Sequence, residues 1–235
     1  MSQIAHALDH VLHFPGIDIP KLRDGCQLAV ELGLAAVTCR PDHVDKAARY
    51  LDGTGLAVIT ALDFHRRRTG RPSEEGWAEE ARRLAGRGAS ELAVIANAER
   101  LSEAGNGAFM RSIERLISQQ DEHGYRLRVQ LDAGGLTDQG VATACRAFAK
   151  RGVWMVQGGT ELGARTAFRQ IRLMREALGT EPLLKWTTRV SFHVMLLALG
   201  EGVDRFNADV VQLLEEARRQ EGLAPLAIPL AGLDY

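Results

Sequence analysis

Lys185 stands in EPLLKWTT, an apolar run with strand character, whereas Lys21, Lys46 and Lys150 fall on amphipathic helical stretches. An amine inside such a run loses hydration. Its pKa falls, and the neutral form can attack a carbonyl carbon and become a Schiff base. The competing reading is a structural lysine paired with a buried carboxylate such as Asp132. Asp132 ends RLRVQLD, in which Arg128, Gln130 and Asp132 alternate with Leu127, Val129 and Leu131. In a strand that spacing gives one polar and one apolar face. Asp132 can there move protons or balance Arg128 and Lys185, and a purely structural ion pair is the equal alternative. Gln157 closes VWMVQ, Arg40 closes AAVTCR, and Asp9 and His10 close the first run, with one of the two facing inward.

His65 opens HRRRTGR, a basic stretch that can grip an anionic substrate or simply lie in solvent. Asp63 and His65 are two apart, but no second pair at ligand spacing accompanies them, so neither a metal nor another cofactor is expected. No GxSxG and no Cys-His signature is present. Gly134–Gly135 and Gly158–Gly159 follow strand-like runs, where backbone amides can approach a ligand or a tight turn can be made.

The elements that must position these groups are legible from composition and period. The chain has 235 residues, 46% hydrophobic and 25% charged, which fits an ordinary globular protein and excludes disorder. Its 29 basic and 30 acidic residues give a formal net charge of -1, which offers no footprint for nucleic acid or an anionic membrane. Three cysteines, an odd count without CxxC, point to reduced thiols. MSQIAHALDHVLHF lacks a leader's apolar run, and no stretch reaches membrane-spanning length, so a cytoplasmic location is expected. One domain over 1–235, with 222–235 as a C-terminal tail, is expected, and a homodimer is compatible with it.

Strand-like runs cover Leu8–Leu12, Ala35–Arg40, Leu56–Phe64, Glu91–Ala96, Arg126–Asp132, Val153–Gln157, Pro182–Thr187 and Asp204–Asn207. Between them, period-3.6 segments run over Ile19–Leu32, with Asp18 as N-cap and Pro20 in the first turn, and over Ser73–Leu84 and Ala108–Gln119. Further segments run from Thr137 or Asp138 to Lys150, over Thr166–Leu178 and over Val210–Arg219. This alternation predicts an α/β fold, a single (β/α)8 TIM barrel with a polar lumen. An open doubly wound sheet would call for GxGxxG after the first strand, where the chain has HFPG.

LDHVL (8–12), AVTCRPDHV (36–44), LRVQLDAGGLTD (127–138), GVWMVQGGT (152–160), RLMREALG (172–179) and PLLKWTTRV (182–190) together resemble the deoxyribose-phosphate aldolases. The resemblance implies a (β/α)8 barrel that cleaves a phosphorylated deoxysugar through a lysine Schiff base without a metal. The departures are specific. Where that family carries its Schiff-base lysine, in patterns like GADFIKTSTG, this chain has Gln157, and only Thr160 remains of the threonines. The fourth-strand aspartate of the family meets Ala93; the seventh-strand lysine is kept as Lys185, and the fifth-strand carboxylate as Asp132. The glycine pair that helps to bind phosphate is replaced by Thr188 and Arg189, and the phosphate-binding GxSS pattern meets NADV, placing Asp209 where an anion would sit. The last residue, Tyr235, stands where some members carry a tyrosine that reaches back over the active site.

Three functions follow. The first is an aldolase-like lyase of specialised biosynthesis acting on a small, non-phosphorylated carbonyl compound. In it Lys185 is imine former or cationic catalyst, Asp132 and Asp9 move protons, and Gln157 and Tyr235 complete the site. Arg128, Arg40, His65, Thr160, Thr188, Arg189 and Asp209 then contact substrate. The second is a cofactor-free isomerase, cyclase or dehydratase in which Gln157, Arg128 and Lys185 stabilise an oxyanion while His65 or Asp132 acts as base. The third is a catalytically silent binding protein. Against it stands the cost of burying charges that serve no purpose, several kcal/mol each.

Overall fold

A computed structural model of the chain describes residues 4–64, 76–160, 164–188, 191–207 and 209–222. Eight parallel strands close into a barrel in chain order: β1 (Leu8–Leu12), β2 (Ala36–Cys39), β3 (Ala57–Ala61), β4 (Glu91–Ala96), β5 (Arg126–Leu131), β6 (Met155–Gly158), β7 (Leu183–Thr187) and β8 (Arg205–Asn207). The helices are α1 (Ile19–Leu32), α2 (Val44–Tyr50), α3 (Trp77–Ala85), α4 (Glu103–His123), α5 (Asp138–Lys150), α6 (Phe168–Leu178), α7 (Phe192–Gly200) and α8 (Val210–Gln220). This is the expected (β/α)8 barrel.

Local chemistry sets the boundaries. Asp18 accepts the Lys21 N–H with Pro20 in the first turn of α1, and Thr137 does the same for Gly140 at α5. The expected start of a helix at Ser73 lies outside the described residues; α3 is described from Trp77. α2 and α7 carry no amphipathic signal that the sequence reading used. α2 has 7 residues, about two turns, and α7, FHVMLLALG, is apolar all round. Its Leu196 and Leu197 are exposed.

The core between strands and helices is aliphatic, built from outward residues such as Leu127, Val129, Leu131, Leu184 and Phe206. The glycines after β5 and at the end of β6 are explained by packing and a turn. A Cβ on Gly134 would meet the Ala164 carbonyl oxygen at 2.4 Å, and one on Gly158 would meet Ile171 Cδ1 at 2.6 Å; Gly159 has φ +94°.

The lumen is different. A (β/α)8 barrel stacks its inward side chains in layers of four drawn from alternate strands. The strand register assigns Ala36, Glu91, Met155 and Arg205 to the lowest layer and Asp9, Ile59, Arg128 and Lys185 to the next. Thr38, Ala93, Gln157 and Asn207 lie above them, and Val11, Ala61, Gln130 and Thr187 form the layer nearest the C-terminal mouth. Charged groups thus take five of the eight places in the two deep layers, where branched apolar residues are usual.

Candidate active site

Five ionisable side chains from five strands form one buried network. Lys185 Nζ donates to Asp9 Oδ2. Arg205 donates from Nε to Asp9 Oδ1 at 2.9 Å and from Nη1 to Glu91 Oε1 at 2.6 Å. Arg128 donates from Nη1 to Glu91 Oε2 at 3.0 Å, and the same nitrogen lies 3.7 Å from Asp9 Oδ2. Its other terminal nitrogen holds Gln157 Oε1 at 2.8 Å. The Gln157 amide nitrogen in turn donates to Thr187 Oγ1 at 2.7 Å and to the Gly159 carbonyl at 3.2 Å. Asp9, Arg128 and Lys185 are wholly buried.

The charge count decides how this network behaves. Two carboxylates face two arginines and a lysine, so the set is neutral only when Lys185 has lost its proton. Burial, then the nearby Arg128, pull the Lys185 pKa down to about 7, against the opposing pull of Asp9. Burial alone would raise Asp9, yet Lys185, Arg205 and Arg128 together hold it at about 2. Asp9 is therefore a fixed counter-charge near neutrality rather than a proton carrier.

The expected partner of Lys185 needs correction. Asp132 follows β5 at the mouth, half-buried, and makes no ion pair among the described residues; Asp9 and Glu91 carry the negative charge instead. Asp132 Oδ1 is buried without a hydrogen-bond partner. Asp9 also lies second in β1, deep in the barrel, not at the strand's end. His10 takes the opposite face of β1, where burial lowers its pKa to about 4 and keeps it neutral.

The remaining expected contacts are peripheral. Arg40 follows β2 and donates to His43 Nε2 at 2.8 Å and Asp42 at 3.3 Å. Thr160 and Thr188 are half-buried after β6 and β7, and the Thr188 N–H donates to the Asn207 carbonyl at 3.2 Å. Asp209 is exposed and caps α8, its Oδ1 accepting the Gln212 N–H at 3.0 Å. His65, Arg189 and Tyr235 lie outside the described residues. Sequence reasoning missed Glu91 and Arg205. Each is the first residue of its strand, and alternation with Ala93 or Asn207 was the signal that marks them as inward.

The cysteines contribute no nucleophile. Burial pushes the Cys26 and Cys145 thiols up to about 12 and Cys39 higher still. Among the described residues no helix is long and apolar enough to cross a membrane.

No family model matches the chain. Curated proteins do. The deoxyribose-phosphate aldolase of Clostridium perfringens (strain 13 / Type A) is 27% identical over 77% of this chain and 79% of its own length. That of Thermococcus gammatolerans is 28% identical over 93% of this chain and 98% of its own. Among solved structures, the aldolase QR15 superposes with a TM-score of 0.82 over 95% of this chain and 100% of that one, at 17% identity. A tetrameric deoxyribose phosphate aldolase from Aeropyrum pernix gives 0.77 over 92% of both chains, at 20% identity. Barrel, polar lumen and relatives together define an aldolase-like lyase. Along most of its length the chain is similar to the deoxyribose-phosphate aldolases.

Proposed function

We propose that the protein makes or breaks a carbon–carbon bond next to the carbonyl of a small, non-phosphorylated metabolite, through an imine on Lys185. The observation that carries this reading is the Lys185 environment: full burial within a network that balances only when its amine is neutral. The amine adds to the carbonyl carbon and water leaves, giving an iminium. In the cleavage direction, a base takes the proton of the β-hydroxyl as the Cα–Cβ bond breaks. The electron pair passes into the iminium, forming an enamine. The enamine then takes a proton on carbon, and water releases the product and regenerates the amine. Asp132, with its unpartnered Oδ1 at the mouth, is the carboxylate available for these proton transfers. The oxyanion reading is less well supported, because Arg128 and Gln157 are already committed to Glu91, Thr187 and each other.

The test is substrate-independent. Enamine formation exchanges α-hydrogens for deuterium, so two- to four-carbon aldehydes and ketones in D2O should lose their α-proton NMR signals in the presence of the protein and not with Lys185→Arg. Exchange that is equal in the two proteins overturns the imine.

A pH prediction follows. Below about 7 Lys185 becomes an ammonium ion, so exchange should fall on the acid side with an apparent pKa near 7. A profile flat between pH 5.5 and about 8.5 contradicts a titrating amine.

A second prediction concerns the substrate. Asp209 places its own carboxylate on the α8 N-terminus, the end of a helix that would otherwise attract an anion. Deoxyribose 5-phosphate should therefore be cleaved far more slowly than the ~10 per second typical of enzymes, measured as acetaldehyde release. Turnover at that rate shows that phosphate binds regardless.

A further inference from the structure

The layer directly above Lys185 contains two polar groups that the ionic network leaves unused. Thr38 Oγ1 and Asn207 Oδ1 are buried without a hydrogen-bond partner, in residues 8% and 7% exposed. Both face inward by register. Asn207 on β8 stands between Lys185 on β7 and Asp9 on β1, and Thr38 on β2 stands on the far side of Asp9. Of the other two members of that layer, Gln157 is committed to Arg128 and Thr187, and Ala93 offers only a methyl group. The layer over the amine therefore carries one unpaired acceptor and one unpaired hydroxyl. Buried polar atoms left without partners are costly, and a ligand that supplies them is favoured over one that does not.

We propose that Asn207 and Thr38 form a hydroxyl seat that selects carbonyl substrates bearing a hydroxyl on the carbon next to the carbonyl, a 2-hydroxy aldehyde or ketone. This deepens the imine reading and rests on it. With the carbonyl carbon bonded to Lys185 Nζ, the adjacent carbon is the first substrate atom to rise into the next layer. Successive strand residues advance by about 3.3 Å, so a hydroxyl on that carbon meets the level of Thr38 and Asn207. It donates its proton to Asn207 Oδ1 and accepts from the Thr38 hydroxyl. A substrate without that group leaves both protein atoms unpaired.

The experiment traps the imine with cyanoborohydride, using glycolaldehyde or acetaldehyde at equal sub-saturating concentration, and reads the adduct on the Lys185 peptide by mass spectrometry. Wild-type protein should trap glycolaldehyde about tenfold faster, the worth of one good hydrogen bond. The ratio should collapse toward one in Thr38→Val and Asn207→Ala. Equal trapping by the wild type, as expected if only water fills the seat, overturns the proposal, as does a preference that survives both substitutions. If neither aldehyde forms an adduct at Lys185, the imine reading has failed, and noncovalent binding of glycolamide against acetamide, followed by saturation-transfer NMR, decides the seat separately. Preferred glycolamide binding that is lost in Asn207→Ala upholds the hydroxyl seat; equal binding removes it.

Discussion

Replacing Lys185 with arginine will lower turnover on the order of 10^3-fold or more, the usual consequence of removing a covalent nucleophile. Arginine keeps the positive charge beside Asp9 but cannot form an imine, so the substitution separates nucleophile from counter-ion. Borohydride reduction in the presence of a carbonyl compound should leave a mass adduct on the Lys185 peptide of the wild type and none in the variant. The remaining described lysines, Lys21, Lys46 and Lys150, lie on outer helices and serve as internal controls. An active Lys185→Arg protein with no adduct in the wild type would exclude imine chemistry. It would shift the assignment to the isomerase or cyclase reading, for which a fixed cation suffices.

The second large effect concerns stability. Asp9→Asn leaves Glu91 alone against Arg128, Arg205 and Lys185, with one acceptor in place of two carboxylate oxygens. Removing one partner of a buried ionic group costs roughly 3–5 kcal/mol, a large share of the ~5–15 kcal/mol that holds a domain folded. Lys185→Met should behave in the opposite way, because two carboxylates then face two arginines and the charges cancel. Its stability is expected within about 1 kcal/mol of wild type or higher. Urea unfolding of both variants at pH 7 measures the difference. Equal midpoints would mean that the network is solvated and contributes no specific pairing. The pH dependence has a definite sign as well. The folded Lys185 pKa lies near 7 and that of the unfolded chain near the ordinary lysine value, so the unfolded state binds the extra proton between them. Its contribution to stability therefore rises with pH across that window and is lost in the Met variant. Asp9 contributes above its ordinary carboxylate range, and its contribution disappears as pH falls toward about 2.

The barrel was readable because strand alternation, the Asp18 and Thr137 caps and even spacing all point the same way. α7 escaped because nine nearly uniform apolar residues carry no period, and α2 because it is too short to show one. In the lumen, alternation correctly turned Arg128 and Lys185 inward. Alternation gives the face of a strand but not the height of a residue in the barrel. Height comes from register between strands far apart in sequence. For that reason alternation offers Asp132 only as one candidate partner of Lys185, while the folded chain brings Asp9 to it from 176 positions away. Glu91 and Arg205 were passed over for a related reason. At the first position of a strand a charged residue reads as the boundary of the element, though here each is the lowest rung of the lumen.

The meeting of β1 with β8 has a consequence for how the chain is made. Among the described residues, two residue pairs, Leu8 with Phe206 and Asp9 with Asn207, join the first strand to the last. Asp9 finds Lys185 and Arg205 across 176 and 196 residues. During synthesis this carboxylate stays without these partners until β7 and β8 have left the ribosome. Contacts of such long sequence separation form slowly, since the loop they close must first be gathered at an entropic cost. The growing chain can assemble as an open, curved sheet with its helices attached, but the ring shuts only when the eighth strand arrives. The same event that seals the barrel builds the acid–base environment of Lys185, so an incompletely synthesised chain lacks both together.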